Sequence, residues 1–124
     1  MSRNILIVDD EEDVQAIAKL GLEMGAGWNV LTACSGREAL NVAVNSKLDV
    51  ILLDMMMPDM DGRATLQLLK ANPITKSIPV ILLTAKVQES DQESFTDLDV
   101  AAVFAKPFRP LKLAAQISEA LGWG

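Results

Sequence analysis

Five polar side chains of this sequence stand where runs of apolar residues end. They are Asp9, Asp10, Asp54, Thr84 and Lys106. If the apolar runs are parallel strands, their carboxyl ends meet at one edge of a sheet, which is where open α/β sheets bind ligands. Three carboxylates, a hydroxyl and an ammonium group would then share one small pocket. So much negative charge in one place predicts that the pocket holds a cation.

Asp54 is the candidate nucleophile of this pocket, because a carboxylate can take a phosphoryl group as an acyl phosphate. The incoming phosphoryl oxygens and the two carboxylates of Asp9 and Asp10 are all negative. A hard divalent cation bridges both kinds of oxygen, and Mg²⁺ fits because it binds one or two carboxylates, a phosphate and waters. Lys106 supplies a fixed positive charge, and Thr84 can donate a hydrogen bond to a phosphoryl oxygen. We expect positioning and charge neutralisation to suffice, without a protein acid or base.

An alternation of apolar runs and helical patterns must position these side chains. It predicts five strands, at residues 4–9, 28–33 and 49–54, from 79 onward, and at 102–105. It predicts helices at 12–25, 35–46, 62–71 and 110–121, a loop at 55–61 and a marginal helix in the polar segment 87–97. Nearly unbroken apolar strands alternating with helices indicate an α/β fold with a parallel sheet covered on both faces.

Two helix boundaries have specific signals. Ser35, with Glu38 three residues later, predicts a capping box at the start of the second helix. The segment Gly25-Ala26-Gly27 predicts the end of the first helix. Within that first segment the 3.6-residue spacing of Val14, Ile17, Ala18 and Leu22 predicts the helix itself.

Composition limits the classes of partner. A chain of 124 residues is expected to form one domain, here 1–124. The net charge of −6 argues against nucleic acid, since phosphate backbones are held by clustered Lys and Arg. No apolar stretch reaches the length of a membrane span, so we expect no membrane partner.

The single cysteine, Cys34, and an amino terminus without a signal peptide favour the cytoplasm. The chain has no histidine, so any phosphohistidine must belong to another molecule.

Each polar end also has an ordinary interpretation. Asp9 and Asp10 can favour the start of a helix, Asp54 can be a polar strand end, Thr84 can cap the next segment, and Lys106 can lie in a surface turn. It is harder to obtain by chance all four polar ends together, in this order, each closing a strand of a chain of five β–α units.

Four segments resemble the receiver domain of two-component response regulators, the chemotaxis-regulator-like fold. They are ILIVDDEEDV, VILLDMMMPDMDG, PVILLTA and AKPF, in the order of the family and across the whole chain. The resemblance implies a flavodoxin-like (βα)5 three-layer sandwich whose parallel sheet has the strand order 2-1-3-4-5.

The resemblance also implies roles for the acidic residues. Asp54 is then the phospho-acceptor, which receives its phosphoryl group from a histidine kinase or a histidine phosphotransfer protein. Asp9, Asp10, Asp54 and the backbone carbonyl of Met56 are then the protein ligands of Mg²⁺, for which Mn²⁺ can substitute.

For the other end of the pocket, the resemblance implies that Thr84 is the switch hydroxyl and Lys106 the lysine of the site. The peptide between Lys106 and Pro107 would be cis. One departure from the usual family pattern is Val103, where an aromatic side chain often reports the state of the threonine. Met56 and Lys86 stand at positions that flank the phosphoryl group.

The expected function is a phosphorylation-driven switch that acts by binding a downstream protein, with no enzymatic activity beyond phosphotransfer to itself and autodephosphorylation. Three alternatives have recognisable signatures. A receiver that is not phosphorylated would lack one of the acids or the lysine. An aspartyl-phosphate phosphatase would have a second carboxylate two residues after the nucleophile, where this chain has Met56. A nucleotide- or flavin-binding protein would have a phosphate-binding loop after the first strand, where this chain has four acids.

Overall fold

The apolar runs of the sequence form the strands of one sheet, and the periodic segments between them form helices. The computed structural model of the protein describes residues 3–55, 62–84, 100–106 and 108–123. In these residues the strands are β1 (Asn4–Val8), β2 (Asn29–Ala33), β3 (Val50–Asp54), β4 (Val80–Thr84) and β5 (Ala102–Ala105). The helices are α1 (Glu12–Ala26), α2 (Gly36–Asn45), α3 (Gly62–Ala71) and α4 (Pro110–Leu121). The predicted helix at 87–97 lies outside the described residues.

The five strands are all parallel, in the order β2-β1-β3-β4-β5. This order confirms the fold that the resemblance implied. The carboxyl ends of the strands are also in register: Val8 pairs with Leu53, and Asp54 pairs with Leu83. The polar residues that follow these ends are therefore brought to the same edge of the sheet.

Alternate residues of each strand point to opposite faces of the sheet, and each face has its own buried cluster. One cluster joins the sheet to α2 and α3 through residues such as Leu6, Leu53, Leu82, Ala39 and Leu69. The other joins it to α1 and α4 through residues such as Ile7, Leu52, Ile81, Leu22 and Leu113. The result is the predicted three-layer sandwich. No helix among the described residues has the length and apolar character needed to cross a membrane.

Two predicted helix boundaries, the start of α2 and the end of α1, are confirmed by their capping residues. The Ser35 hydroxyl accepts a hydrogen bond from the Glu38 backbone N–H at 3.1 Å, as an N-cap does. Helix α1 ends at Ala26 and is capped by Gly27, whose φ of 68° lies in the left-handed region that glycine adopts without strain.

The helix that the apolar spacing predicts is present as α1, but its apolar residues are not equally buried. Ile17 is 48% exposed. Helix α1 buries Ala18, Gly21 and Leu22, and Gly21 lies directly against the first residue of α4. A glycine allows the close approach of the two helices at this point, and Ile17 lies outside the buried face of α1.

The amino-terminal edge of the sheet is closed by an aromatic contact that the sequence patterns did not reveal. Trp123, which follows α4, packs edge-on against Trp28 with ring centroids 5.5 Å apart. The guanidinium carbon of Arg3 lies 4.1 Å from the centre of the Trp123 ring, within the range of a cation–π contact. The segment after α4 is thus packed on the domain.

Gly21→Ala is expected to lower the free energy of unfolding by about 1–3 kcal/mol. A Cβ at this position would lie 2.3 Å from the carbonyl oxygen of Pro110, which is backbone and cannot move aside cheaply. Gly25 offers a matched control in the same helix, because its Cβ would meet only the Leu111 carbonyl oxygen at 3.7 Å. Gly25→Ala should be neutral or stabilise by up to about 1 kcal/mol through helix propensity. Urea unfolding followed by tryptophan fluorescence measures both, and equal effects would contradict the packing argument.

Candidate functional site

Three carboxylates meet at the carboxyl edge of the sheet, as the sequence predicts. Asp9 follows β1, Asp54 is the last residue of β3, and Asp10 lies in the turn before α1. One oxygen from each of these three side chains lies within 4.8 Å of the others. We call Asp9, Asp10 and Asp54 the acidic cluster.

Lys106 reaches into the acidic cluster from the end of β5. Its Nζ lies 2.7 Å from Asp9 Oδ2, a charge-assisted hydrogen bond, and 3.4 Å from Asp54 Oδ1. Only 17% of its side chain is exposed. Burial alone lowers the pKa of the Lys106 ammonium, but the hydrogen bond to Asp9 and the charges of Asp54 and Asp9 outweigh it. The pKa of Lys106 is therefore raised, and the side chain is positively charged at neutral pH.

Asp9 is held through all of its polar groups. It is fully buried, and its N–H donates to the Ala33 carbonyl at 3.0 Å. Its Oδ1 accepts from the Glu11 N–H at 2.9 Å, its Oδ2 accepts from Lys106, and its carbonyl accepts from the Gln15 side chain at 2.6 Å. The Asp9 carboxylate therefore has a fixed position, and it can hold the Lys106 ammonium in place.

Asp54 and Asp10 differ in their access to water. Asp54 is buried, with 4% of the residue exposed, whereas Asp10 is exposed. The start of α3 lies against the backbone of Asp54, since a Cβ on Gly62 would be 2.8 Å from the Asp54 carbonyl oxygen. The Gly62 N–H also donates to the Met55 carbonyl at 3.1 Å. The acceptor candidate thus sits at a rigid strand end with a helix packed on it.

The acidic cluster and Lys106 carry three negative charges and one positive charge. At a separation of about 5 Å and an effective dielectric constant of about 20, the repulsion between the buried carboxylates of Asp9 and Asp54 costs about 3 kcal/mol. One ammonium cannot neutralise three carboxylates, so the residues present fit a further cation. The donors are carboxylate oxygens, which favour Mg²⁺ and similar hard divalent ions over soft metals.

Thr84 lies at the end of β4, beside the residue that carries the ammonium group. It is buried, and its carbonyl oxygen accepts a hydrogen bond from the Lys106 backbone N–H at 2.8 Å. The last residue of β4 and the residue after β5 are thereby tied together. Val103 packs against the cluster on the α2 and α3 face, and Phe104 packs against the other cluster. The aromatic side chain of β5 therefore lies on the face opposite to Val103.

Three sequence-based expectations fall outside the described residues. They concern the Met56 carbonyl as a metal ligand, the cis peptide before Pro107 and the position of Lys86. They stay predictions.

Gln15 contributes to the site although the sequence patterns did not single it out. It is half-buried on α1, and its Nε2 donates to the Asp9 carbonyl at 2.6 Å and to the Ala33 carbonyl at 3.2 Å. A polar residue in the first turns of a surface helix gives no signal by periodicity. Its position five residues after the acidic pair is the only hint that the sequence offers.

Comparison with known proteins gives one consistent result. The family model described as the response regulator receiver domain matches residues 5–118. The alkaline phosphatase synthesis transcriptional regulatory protein PhoP of Bacillus subtilis is 36% identical over 121 residues, which are 98% of this chain and 49% of that protein. The chain spans about half the length of the curated relatives that it matches.

Solved structures agree with the sequence matches. The chemotaxis protein CheY4 of Vibrio cholerae superposes with a TM-score of 0.88 and 28% identity, over 97% of this chain and 99% of that chain. The signal receiver domain of a signal transduction histidine kinase from Syntrophus aciditrophicus superposes with a TM-score of 0.84 and 31% identity, over 98% of this chain and 91% of that chain.

These relatives correct the prediction about partners, which excluded nucleic acid and left a protein as the downstream target. PhoP is a transcriptional regulatory protein, and the matched segment is about half of it. The net charge of −6 belongs to this chain alone. A basic surface that holds DNA phosphates can lie in another part of a longer protein, so the acidic composition excludes nothing about such a protein.

Proposed function

The chain belongs to the family of response regulator receiver domains, and we propose that it is a phosphorylation-driven switch of a two-component system in which Asp54 accepts the phosphoryl group. Receiver domains are signalling switches. The proposal takes residues 1–124 as one receiver domain. The observation that carries it is the acidic cluster at the carboxyl edge of the sheet, with Lys106 in contact with Asp9 and Asp54.

Among the three carboxylates, the surroundings favour Asp54 as the acceptor. Both oxygens of Asp9 already accept hydrogen bonds, from Glu11 and from Lys106. Asp10 is exposed to water, which would hydrolyse an acyl phosphate there. Asp54 is buried, ends a central strand and has the Lys106 ammonium 3.4 Å from one of its oxygens.

In the proposed transfer, a carboxylate oxygen of Asp54 forms a bond to phosphorus while the bond from phosphorus to a histidine nitrogen of the donor breaks. The donor is a sensor kinase or a phosphotransfer protein, because this chain has no histidine. Lys106 offers its charge to the phosphoryl oxygens, and Thr84 donates a hydrogen bond to one of them. Asp9, Asp10, Asp54 and the Met56 carbonyl would hold Mg²⁺, or Mn²⁺ in its place, which neutralises the charge of the phosphoryl oxygens.

The proposed switch acts through the link between Thr84 and Lys106. A phosphoryl group on Asp54 attracts both side chains, and the hydrogen bond between their backbones at 2.8 Å makes the ends of β4 and β5 move together. The shift selects between two positions of these strand ends, and so changes partner binding. PhoP indicates one output for such a switch when the receiver is part of a longer protein: control of transcription.

The test of this proposal is the intact mass of the protein after incubation with acetyl phosphate. We expect a gain of one phosphoryl group with Mg²⁺ or Mn²⁺ and none with EDTA, because the acidic cluster repels the donor unless its charge is neutralised. If acetyl phosphate gives no gain, phosphorylated histidine kinases and phosphotransfer proteins are tried as donors. No gain from any of them would contradict the proposal and leave a binding module that is not phosphorylated.

A further inference from the structure

One side-chain amide joins the ends of β1 and β2 beside the acidic cluster. Gln15 Nε2 donates to the carbonyl of Asp9 at 2.6 Å and to the carbonyl of Ala33 at 3.2 Å. The Ala33 carbonyl also accepts from the Asp9 N–H at 3.0 Å. Helix α1 therefore holds the chain at the point where β1 ends and the turn to Asp10 begins.

The carbonyl of Asp9 belongs to the peptide group that links Asp9 to Asp10. Holding that carbonyl fixes the plane of the peptide, since the peptide unit is rigid. The plane in turn fixes the N–Cα bond of Asp10, from which its side chain extends. Gln15 thus acts on Asp10 through the backbone.

Asp10 depends on this support more than Asp9 does. The Asp9 carboxylate is buried and held by the Glu11 N–H and the Lys106 ammonium. The Asp10 side chain is exposed, so its position rests on the backbone that carries it. With the backbone in this position, the Asp10 oxygen lies within 4.8 Å of the oxygens of Asp9 and Asp54.

We propose that Gln15 is a positioning residue of the acidic cluster, which sets the affinity of the cluster for a small divalent cation by fixing Asp10. The inference rests on the proposed function in taking the cluster as a cation site. Mg²⁺ requires near-ideal octahedral geometry with short bonds, whereas Ca²⁺ accepts six to eight ligands in flexible arrangements. Loss of the Gln15 contacts should therefore weaken Mg²⁺ binding more than Ca²⁺ binding.

The experiment is calorimetric titration of the unphosphorylated protein with Mg²⁺ and with Ca²⁺. Gln15→Met keeps the length of the side chain and removes the donor, and Gln116→Met on the exposed face of α4 is the matched control. Partners that orient metal ligands typically contribute 10–100-fold to affinity. We expect the Mg²⁺ dissociation constant of Gln15→Met to rise about tenfold, the Ca²⁺ constant to rise by less, and Gln116→Met to match the wild type.

Two further variants keep the test decisive if Gln15→Met folds poorly. Gln15→Ala also removes the donor, so the ratio of the Ca²⁺ to the Mg²⁺ dissociation constant should fall in it as in Gln15→Met. Gln15→Lys retains a nitrogen donor and adds a positive charge, which weakens the binding of both divalent ions by the same factor, so the ratio should stay at the wild-type value.

Three outcomes would overturn the inference. Unchanged Mg²⁺ affinity in Gln15→Met would overturn this inference and leave the proposed function untouched. An equal loss of affinity for both ions would do the same, because it would mark Gln15 as a purely structural link between α1 and the sheet. A wild-type protein that binds neither ion would overturn the inference together with the metal site of the proposed function.

Discussion

Asp54→Asn protein is expected to gain no phosphoryl group from acetyl phosphate in the presence of Mg²⁺, whereas the wild type gains one. An asparagine amide has the shape of the carboxylate but is not a nucleophile towards phosphorus. It also keeps an oxygen at the position that lies 3.4 Å from Lys106 Nζ, so the pocket should keep its form. The loss is all-or-none, and intact mass measures it directly.

Asp49→Asn is the matched control for this prediction, because Asp49 immediately precedes the same strand at its other end. Its Oδ2 accepts a hydrogen bond from the Asn4 N–H at 2.7 Å, and asparagine retains an oxygen for that contact. Asp49→Asn protein should gain one phosphoryl group as the wild type does. If Asp54→Asn protein were phosphorylated to the same extent, the acceptor would be another residue, and the geometric case for Asp54 would fail.

Lys106→Met is expected to slow phosphorylation by about 10²–10³-fold, the usual cost of removing one preorganised charge from a transition state. The ammonium lies between Asp9 and Asp54 in a largely buried position, where its charge is poorly screened by water. The measurement is the initial rate of phosphoryl gain, followed by mass at a series of acetyl phosphate concentrations.

This substitution also tests whether Lys106 acts on the reaction or only on the fold. Removal of one partner of a buried ion pair typically costs 3–5 kcal/mol, because it leaves an uncompensated charge. The rates are therefore compared at a temperature where the unfolding curve shows the variant to be native. Lys112→Met on the exposed surface of α4 should react at the wild-type rate. A rate for folded Lys106→Met within about threefold of the wild type would mean that Lys106 only neutralises Asp9.

The sequence reveals the site because of how parallel strands are buried. Strands that are covered on both faces are apolar throughout, so Asp54 and Lys106 are conspicuous where the apolar runs stop. Parallel pairing then places those ends at the same edge of the sheet whatever the order of the strands. The strand order, with β1 between β2 and β3, was implied by the family resemblance of the motifs. Apolar runs alone do not indicate which strands are neighbours.

The features that the sequence did not reveal depend on contacts between distant segments. Helical periodicity groups Ile17 with buried residues such as Leu22 and gives no signal at Gln15, because it separates apolar from polar residues and knows no tertiary contacts. In the structure Ile17 is half exposed, and Gln15 donates to two backbone carbonyls. The packing of Trp123 on Trp28 joins residues that are far apart in the chain, and no local pattern predicts it.

The central claim is that Asp54 itself carries the phosphoryl group. Borohydride reduces an acyl phosphate of aspartate to homoserine, so reduction after incubation with acetyl phosphate and Mg²⁺ marks the acceptor covalently. Trypsin then separates residues 4–19, which contain Asp9 and Asp10, from residues 48–63, which contain Asp54. Fragment masses are expected to place homoserine at position 54, only in protein that received both acetyl phosphate and Mg²⁺. Homoserine in place of Asp9 or Asp10, or at another aspartate of residues 48–63, would contradict the account.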